Sequence, residues 1–396
     1  MRFQYYLSVA ITLITKYDGA MPLAFYLKKY FSDNKKHGSK DRKYISHVCY
    51  CYYRLGKSAD FLDIEEKIKV ALFLCNNEVG VWSSLFNDEW IHHWHEKLNV
   101  RIEFILQKFS SFSVENIFPF VQHLSNDIAS SNFCISHLVQ PNLFVRIRPS
   151  HSTTVIQKLK NAKLDYQLLN ETCIALPNAS KINDVLNINQ EVVIQDYSSQ
   201  QIASFLQLIP STNKPISIWD CCAASGGKSI LAKDVFSHIT LTVSDVRKTI
   251  VQNLHHRFIQ AGINHYQSFI ADIASNKFDI PKTIQQKFQL IICDVPCSGS
   301  GTWSRTPEQI IFFTAEKMNE YAALQKSIIN NAIKHVEPNG YFLYITCSVF
   351  KKENEEIVQY IQENFSFELI KMNILQGFEK KADTMFAALF STKENN

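Results

Sequence analysis

The sequence predicts an α/β fold: a doubly wound, mostly parallel sheet in the C-terminal half, preceded by a small α+β module and an all-helical N-terminal domain. Three observations carry this reading. Up to about Phe133 the apolar residues recur at helical spacing, as Ile45, Val48, Tyr52 and Leu55 do. From about residue 140 to 200, strand-like and helical stretches mix. From there on, short apolar runs alternate with helical patterns at the period of βα units. The expected domains are residues 1–138, 139–200 and 201–396.

The composition fits such a chain. With 396 residues and 46% hydrophobic content it can bury several cores. Eleven glycines, eleven prolines and no fixed-period repeat argue against fibres and solenoids. Ten cysteines without a C-x-x-C pair fit reduced thiols, not a disulfide framework or a zinc knuckle, and so a cytoplasmic protein. Neither a metal nor a membrane is expected as a partner, and the protein is expected to be monomeric.

In the first domain, "YYLSVAITLI" falls short of the roughly 18 residues a membrane span needs and reads as a buried helix. Between Lys28 and Lys57, nine basic residues stand against two acids, a local +7 in a chain whose net charge is +4. Interleaved with Tyr30, Phe31, Tyr44, Tyr50 and Tyr52, this segment is either an RNA-facing surface or a solvated helix face. "EWIHHWHEKL" is expected to be an aromatic helix with His92 and His95 on one face; no carboxylate or cysteine at ligand spacing completes a metal site. In the module, "LFVRIRP", "DYQLLN" and "TCIALPN" read as strands and "TTVIQKLKNA" as a helix. The final "STKENN" is expected to fray.

The sheet of the third domain should comprise "ISIWDC", "LTVSD", "SFIAD", "LIICD" and "YFLYIT". Ligands of open α/β sheets bind beyond the carboxyl ends of the strands, so Asp220, Asp245, Asp272 and Asp294 are expected to converge on one crevice. The loop "CAASGGKS" fits the phosphate-binding pattern G-x-x-x-x-G-K-[ST] except that Cys222 replaces the first glycine. With "LIICD" supplying a magnesium-binding acid, a P-loop-like ATPase is one reading. Against it stand the missing glycine, and Asp245 19 residues after Gly226, where an acid grips ribose hydroxyls. S-adenosylmethionine gives each piece a role. Gly226 and Gly227 let the backbone approach, the following helix N-terminus meets the methionine carboxylate, Asp245 takes the ribose diol and Asp272 reaches the adenine.

"CAASGGKS", "DVPCSGSGTW" and "YITCSVFKKENEE" resemble the motifs of the RsmB/Sun family of RNA cytosine-5 methyltransferases. The resemblance extends through "VVIQDYSSQ" and "ADTMFAALF" and covers roughly residues 190 to 391. It implies a Rossmann-like class I methyltransferase domain. "GSKDRKYISHVCYCYYRLGK" is similar to the helical NusB-like domain of the bacterial members, and "PNLFVRIRP" to their RNA-binding connector. The sequence departs from the family pattern at Ser225, where proline is usual, at Ser300, where threonine is common, and at Met385, where a glycine-aromatic pair is expected.

Carbon 5 of cytosine is a poor nucleophile. A thiolate adding to carbon 6 pushes electron density onto carbon 5, which can then take a methyl group before the thiol leaves. Cys297 and Cys347 are both candidates for that thiolate, and the chemistry alone does not separate them. The resemblance implies Cys347 as nucleophile, Cys297 in product release, Asp294 on the base's amino edge and Lys228 holding the base or its adduct. The residues expected around the donor are Cys222, Ala223, Ala224, Ser225, Gly226, Gly227, Lys228, Asp245, Arg247, Asp272, Asp294 and Pro296. Cys49, Cys51, Cys75, Cys221 and Cys293 read as packing residues.

A base must leave its stack to reach such a pocket, so single-stranded or loop RNA is the expected substrate. The +7 segment, Arg146, Arg148, Arg247 and Arg305 are candidate phosphate contacts; Phe144 and Trp303 are candidate stacking platforms. Small-subunit rRNA is the expected target. The alternatives are tRNA with the same chemistry, the ATPase, and a non-catalytic RNA-binding protein.

Overall fold

The structure, a computed structural model, describes residues 2–210 and 214–393. The chain forms two compact units. One comprises Met1–Leu124, Ala129–Gln140 and Thr302–Thr314, the other Ser125–Ile128, Pro141–Gly301 and Ala315–Asn396.

The first unit is helical: α1 (Arg2–Lys16), α2 (Leu23–Asp33), α3 (Ser39–Arg54), α4 (Ile64–Cys75), α5 (Asp88–His92), α6 (Leu98–Lys108) and α7 (Ser130–Ser136). Helix α1 buries Tyr6, Ala10 and Leu13, a stripe at three- and four-residue spacing, and packs on α3, which buries Ile45, Val48 and Cys49. Asp63 caps α4 by accepting a 2.9 Å bond from the Glu66 amide. Helix α5 ends at His92, so His95 lies beyond it and the two histidines share no helical face, contrary to the sequence expectation.

Of the nine cations between Lys28 and Lys57, Lys28, Lys29, Lys35, Lys36, Lys40, Arg42, Lys43 and Lys57 are exposed. Arg54 is instead buried and donates to the carbonyls of His137 (2.8 Å) and Val139 and to Gln140 Oε1. Trp303 is not available to stack a base. It is 1% exposed and packs against Phe118, Phe120 and Phe313.

The second unit contains two sheets. A four-stranded antiparallel sheet of β1 (Leu143–Ile147), β2 (Gln167–Leu168), β3 (Cys173–Leu176) and β4 (Val192–Ile194) runs in the order β2-β3-β1-β4. Its core of Val145, Ile147, Ile174 and Val192 also takes Val155 and Leu159 from α8 (Ser152–Asn161). Alternation along β1 turns Phe144 to the opposite face, where Cys173, Ala175 and Tyr197 cover it. The second expected stacking residue is therefore buried as well, at 2% exposure.

After α9 (Tyr197–Gln201) and α10 (Ala203–Leu206), the chain builds a seven-stranded sheet from β5 (Ile216–Asp220), β6 (Ile239–Asp245), β7 (Gln267–Ile270), β8 (Phe288–Asp294), β9 (Val336–Thr346), β10 (Phe367–Leu375) and β11 (Met385–Thr392). Helices α11 (Gly227–Val235), α12 (Lys248–Gln260), α14 (Glu316–Ala332) and α15 (Glu355–Asn364) connect them, while α13 (Gln309–Phe312) belongs to the first unit. The order is β10-β11-β9-β8-β5-β6-β7, with β9 through β7 parallel and β11 antiparallel to both its neighbours.

The sheet is thus mostly parallel and doubly wound, as the sequence predicts, with an antiparallel hairpin on one side. Its central strands are buried on both faces. Ile218, Leu290, Ile292 and Leu343 enter one apolar layer and Trp219, Ile291, Cys293 and Phe342 the other. Of the segment expected to fray, Ser391 and Thr392 belong to β11 and pair with Glu368 and Phe367 of β10; residues 394–396 lie outside the described residues. No helix among the described residues is long and apolar enough to cross a membrane.

Candidate active site

The chain runs outward from β5 to β6 and β7 on one side and to β8 and β9 on the other, so the strand order reverses between β5 and β8. Above their carboxyl ends lies a cavity of about 460 Å³. Such a reversal splays the connecting loops apart and leaves the crevice that ligands of this architecture occupy. Cys222, Asp245, Asp272, Asp294, Cys297 and Cys347 all line it.

Three of the four strand-end acids converge there. Asp220 does not. Its carboxylate lies fully buried beneath the loop, accepts a 2.6 Å bond from Ser229 Oγ and leaves its second oxygen without a partner among the described atoms. Burial, with Asp294 and Asp245 adding repulsion, pushes its carboxyl up to about 7.

The loop after β5 owes its glycine to packing. Gly226 has φ +82°, and a Cβ there would meet the Phe258 ring at 2.4 Å. The close approach it permits in this structure is to α12. Ser225, Gly226 and Gly227 do not line the cavity, whereas Cys222 and Ala224 do. Ser225 Oγ accepts a 2.8 Å bond from Arg257, a tie that proline could not accept. Ala223 is turned into the core, its amide bonded to the Ser244 carbonyl.

Asp245 is fully engaged. One oxygen accepts from the Arg247 amide and Nε, each at 3.0 Å; the other accepts from the Ala224 amide at 3.0 Å and Arg247 Nη2 at 3.1 Å. A carboxylate offers about four lone-pair sites, and here all are taken. Burial opposes ionisation of this group, but the Arg247 hydrogen bonds and charge outweigh it and hold the carboxyl below its ordinary value. The Arg247 side chain is 58% exposed, and its departure would release two acceptor sites of Asp245, which lines the cavity. Asp272 keeps one oxygen for the Ala274 amide, at 3.0 Å.

The opposite end carries the thiols. Cys297 and Cys347 stand with Sγ atoms 3.2 Å apart, and Lys228 Nζ lies 2.8 Å from Asp294 Oδ2. Hydrogen bonding to Cys347, and then burial, push the Cys297 thiol well up, so it rests protonated. Gly301 fixes the Cys347 loop: its amide donates 2.9 Å to the Cys347 carbonyl, and a Cβ there would sit 1.9 Å from the Thr384 carbonyl oxygen.

Sequence reasoning gave Glu353 no role. Fully buried, it accepts from the Ser298 amide (2.9 Å), Gln325 Nε2 (3.0 Å) and Ser348 Oγ (2.7 Å). Its place in "KKENEE", six residues after Cys347, was the available signal.

Two expected RNA contacts are consumed internally. Arg146 is buried with Nη1 2.7 Å from Asp234, and Arg148 pairs with the same carboxylate at 2.8 Å while donating to the carbonyls of Asn189 and Ala261. They tie the small sheet to α11 and are not available to phosphates.

The sheet order, with its reversal between β5 and β8 and the antiparallel β11 inserted beside β9, is that of the class I methyltransferase fold. Residues 205–395, just under half of the chain, match the family model described as 16S rRNA methyltransferase RsmB/F. Among curated relatives, ribosomal RNA small subunit methyltransferase B of Xanthomonas campestris pv. campestris is 29% identical over 177 residues, which is 43% of this chain and 37% of that protein. A probable ribosomal RNA small subunit methyltransferase B of Bacillus subtilis is 26% identical over 248 residues, 61% of this chain and 54% of that one. The chain thus spans between a third and somewhat over half of the length of these relatives. Among solved structures, PH0851 aligns over 98% of this chain and 97% of its own with a TM-score of 0.69 and 16% identity. NSun6 from Pyrococcus horikoshii, solved with SFG, aligns over 66% and 94% with a TM-score of 0.55 and 13% identity. At these identities the structural likenesses establish the fold alone.

Proposed function

We propose that the protein is an S-adenosylmethionine-dependent RNA (cytosine-5) methyltransferase acting on small-subunit rRNA. The observation that carries the reading is the thiol pair, 3.2 Å apart at the wall of a cavity that is also lined by Asp294, the ion-pair partner of Lys228. A lone buried cysteine would be packing; two half-buried thiols facing one cavity beside an ion pair suit covalent catalysis.

The donor set fits S-adenosylmethionine. Asp245 stands at the end of the second strand for the ribose diol once Arg247 withdraws, and Asp272 and Pro296 line the wall where the adenine would lie. NSun6, of the same fold, was solved with an analogue of this donor. When bound, S-adenosylmethionine supplies an electrophilic methyl group. The protein's own residues do the rest. The Cys347 sulfur adds to carbon 6 of a flipped-out cytosine, and the C5–C6 π electrons move toward carbon 5. Asp294 faces the amino edge, and Lys228, held by Asp294, neutralises charge that builds on the ring. Once carbon 5 is methylated it gives up its proton to water, and the C5–H electron pair re-forms the double bond and expels Cys347 as a thiolate, with the protonated Cys297 placed to return a proton to the departing sulfur.

The helical region 1–138 and the connector 139–200 are proposed as the RNA-binding parts, with the eight exposed cations of the Lys28–Lys57 segment as the phosphate-facing surface. The test is to map 5-methylcytosine across rRNA and tRNA from cells with and without the gene. Loss of one site in small-subunit rRNA is expected; loss confined to tRNA would transfer the same chemistry to the other substrate.

A further inference from the structure

We infer that Glu353 is the positioning residue that holds the two thiols at their working separation. The inference rests on the proposed function for its chemical meaning but on the hydrogen-bond geometry for its content.

The Cys297 backbone is tied down on both sides through this carboxylate. The amide of the following residue, Ser298, donates to Oε2, and Gln325, which donates to the same oxygen, also donates from its Nε2 to the carbonyl of the preceding residue, Pro296, at 3.1 Å. The other oxygen takes Ser348 Oγ, on the residue after Cys347. The Glu353 carbonyl in turn accepts a 2.7 Å bond from Tyr344 OH on β9, the strand that delivers Cys347.

Thus one carboxylate joins three segments: the turn carrying Cys297, the turn carrying Cys347, and α14. It is fully buried and has no cation within ion-pair distance among the described residues. A charge held this way contributes poorly to stability compared with an apolar filling of the same space. What it does supply is a fixed set of acceptors that is satisfied in one arrangement of the two turns. It does not line the cavity, so its action on the reaction runs through the thiols alone.

Glu353→Gln keeps most of the geometry. The amide oxygen can serve the two donors at Oε2, and the Ser348 hydroxyl can turn its proton to Ser300 Oγ, 3.2 Å away, and accept from the amide nitrogen in place of Ser298. Glu353→Ala removes every tie. The separation of the thiols can be read without RNA or methyl donor by equilibrating the full chain in a glutathione redox buffer. Two thiols and one oxidised glutathione exchange into one Cys297–Cys347 disulfide and two reduced glutathiones, and the equilibrium reports the effective concentration of one thiol at the other.

Quantified as the Cys297–Cys347 cross-linked peptide by mass spectrometry, that effective concentration should fall about tenfold or more in Glu353→Ala, because misplacement by an ångström costs on this scale. It should fall less in Ser348→Ala, a milder change that keeps the readout usable should the first variant not fold, and stay within about threefold in Glu353→Gln. Equal effective concentrations in wild type, Glu353→Ala and Ser348→Ala would overturn the inference, as would a loss in Glu353→Gln equal to that in Glu353→Ala. Because neither substrate is present, this result can fail while the methyl-transfer reading stands, and the reverse.

Discussion

The two ends of the cavity are built differently. At the thiol end, every turn is held by buried bonds: Glu353 and Gln325 fix the Cys297 turn, and Gly301 and Asn354 fix the Cys347 turn, with Asn354 Nδ2 donating 3.0 Å to the Ser348 carbonyl. At the proposed donor end, Asp245 is occupied by an exposed arginine of its own loop, and Asp272 makes one short-range bond. The contrast separates two tasks. Bond making needs atoms placed in advance, because geometry lost there is lost from the rate. Binding a small molecule tolerates side chains that give way, because an arginine whose side chain is exposed to solvent is cheaply exchanged.

Four substitutions break or sharpen this contrast, beginning at the thiol end. Cys347→Ala should reduce methyl transfer by about a thousandfold or more while donor binding, followed by calorimetry, stays within a few-fold. Next in size, Lys228→Ala strips Asp294 of its cation, and single-turnover rates should fall about a hundredfold with donor affinity little changed. If the loss lies in donor affinity instead, Lys228 belongs to the other end of the cavity.

Beneath the donor loop, Asp220 predicts a pH dependence. With its carboxyl raised to about 7 from an ordinary 3.8, the folded chain keeps a proton there that the unfolded chain has already lost. Its contribution is fully present below about pH 4 and is lost as pH rises through about 7. Urea midpoints across that window should fall as pH rises, and Asp220→Asn should flatten the slope. The smallest effect concerns Arg247. If it merely occupies the diol site, Arg247→Ala should raise donor affinity by up to about fivefold, the worth of one pair whose arginine is exposed to solvent. A fall in affinity would mean that the arginine itself holds the donor.

Much of this site can be read along the chain. The parallel strands announce themselves as short apolar runs ending in Asp220, Asp245 and Asp294, and the two thiols sit in turn sequences at strand ends. What escapes is information that lies across the chain. Arg146 and Arg148 look like free cations until Asp234, 88 and 86 residues away, is seen between them. Phe144 and Trp303 stand in plausible stacking positions, but one faces the covered side of a small sheet and the other enters an aromatic cluster with Phe118.

The β10–β11 hairpin is hidden for two reasons. β10 is an edge strand with Glu368 and Lys371 among its apolar residues, and "MFAALF" is an unbroken apolar run that periodicity alone cannot tell from a buried helix. Asp220 shares the pattern of the other acids; only depth sets it apart.

The most direct test is to trap the covalent intermediate. Purified wild-type protein and the two single-thiol variants would be incubated with small-subunit rRNA and S-adenosylmethionine, and denaturing gels read for protein bound to RNA. The Cys297→Ala protein should accumulate a covalent RNA adduct and the Cys347→Ala protein should form none. An adduct in Cys347→Ala, or none in either variant alongside undiminished methylation, would contradict the assignment of the thiols and the mechanism built on them.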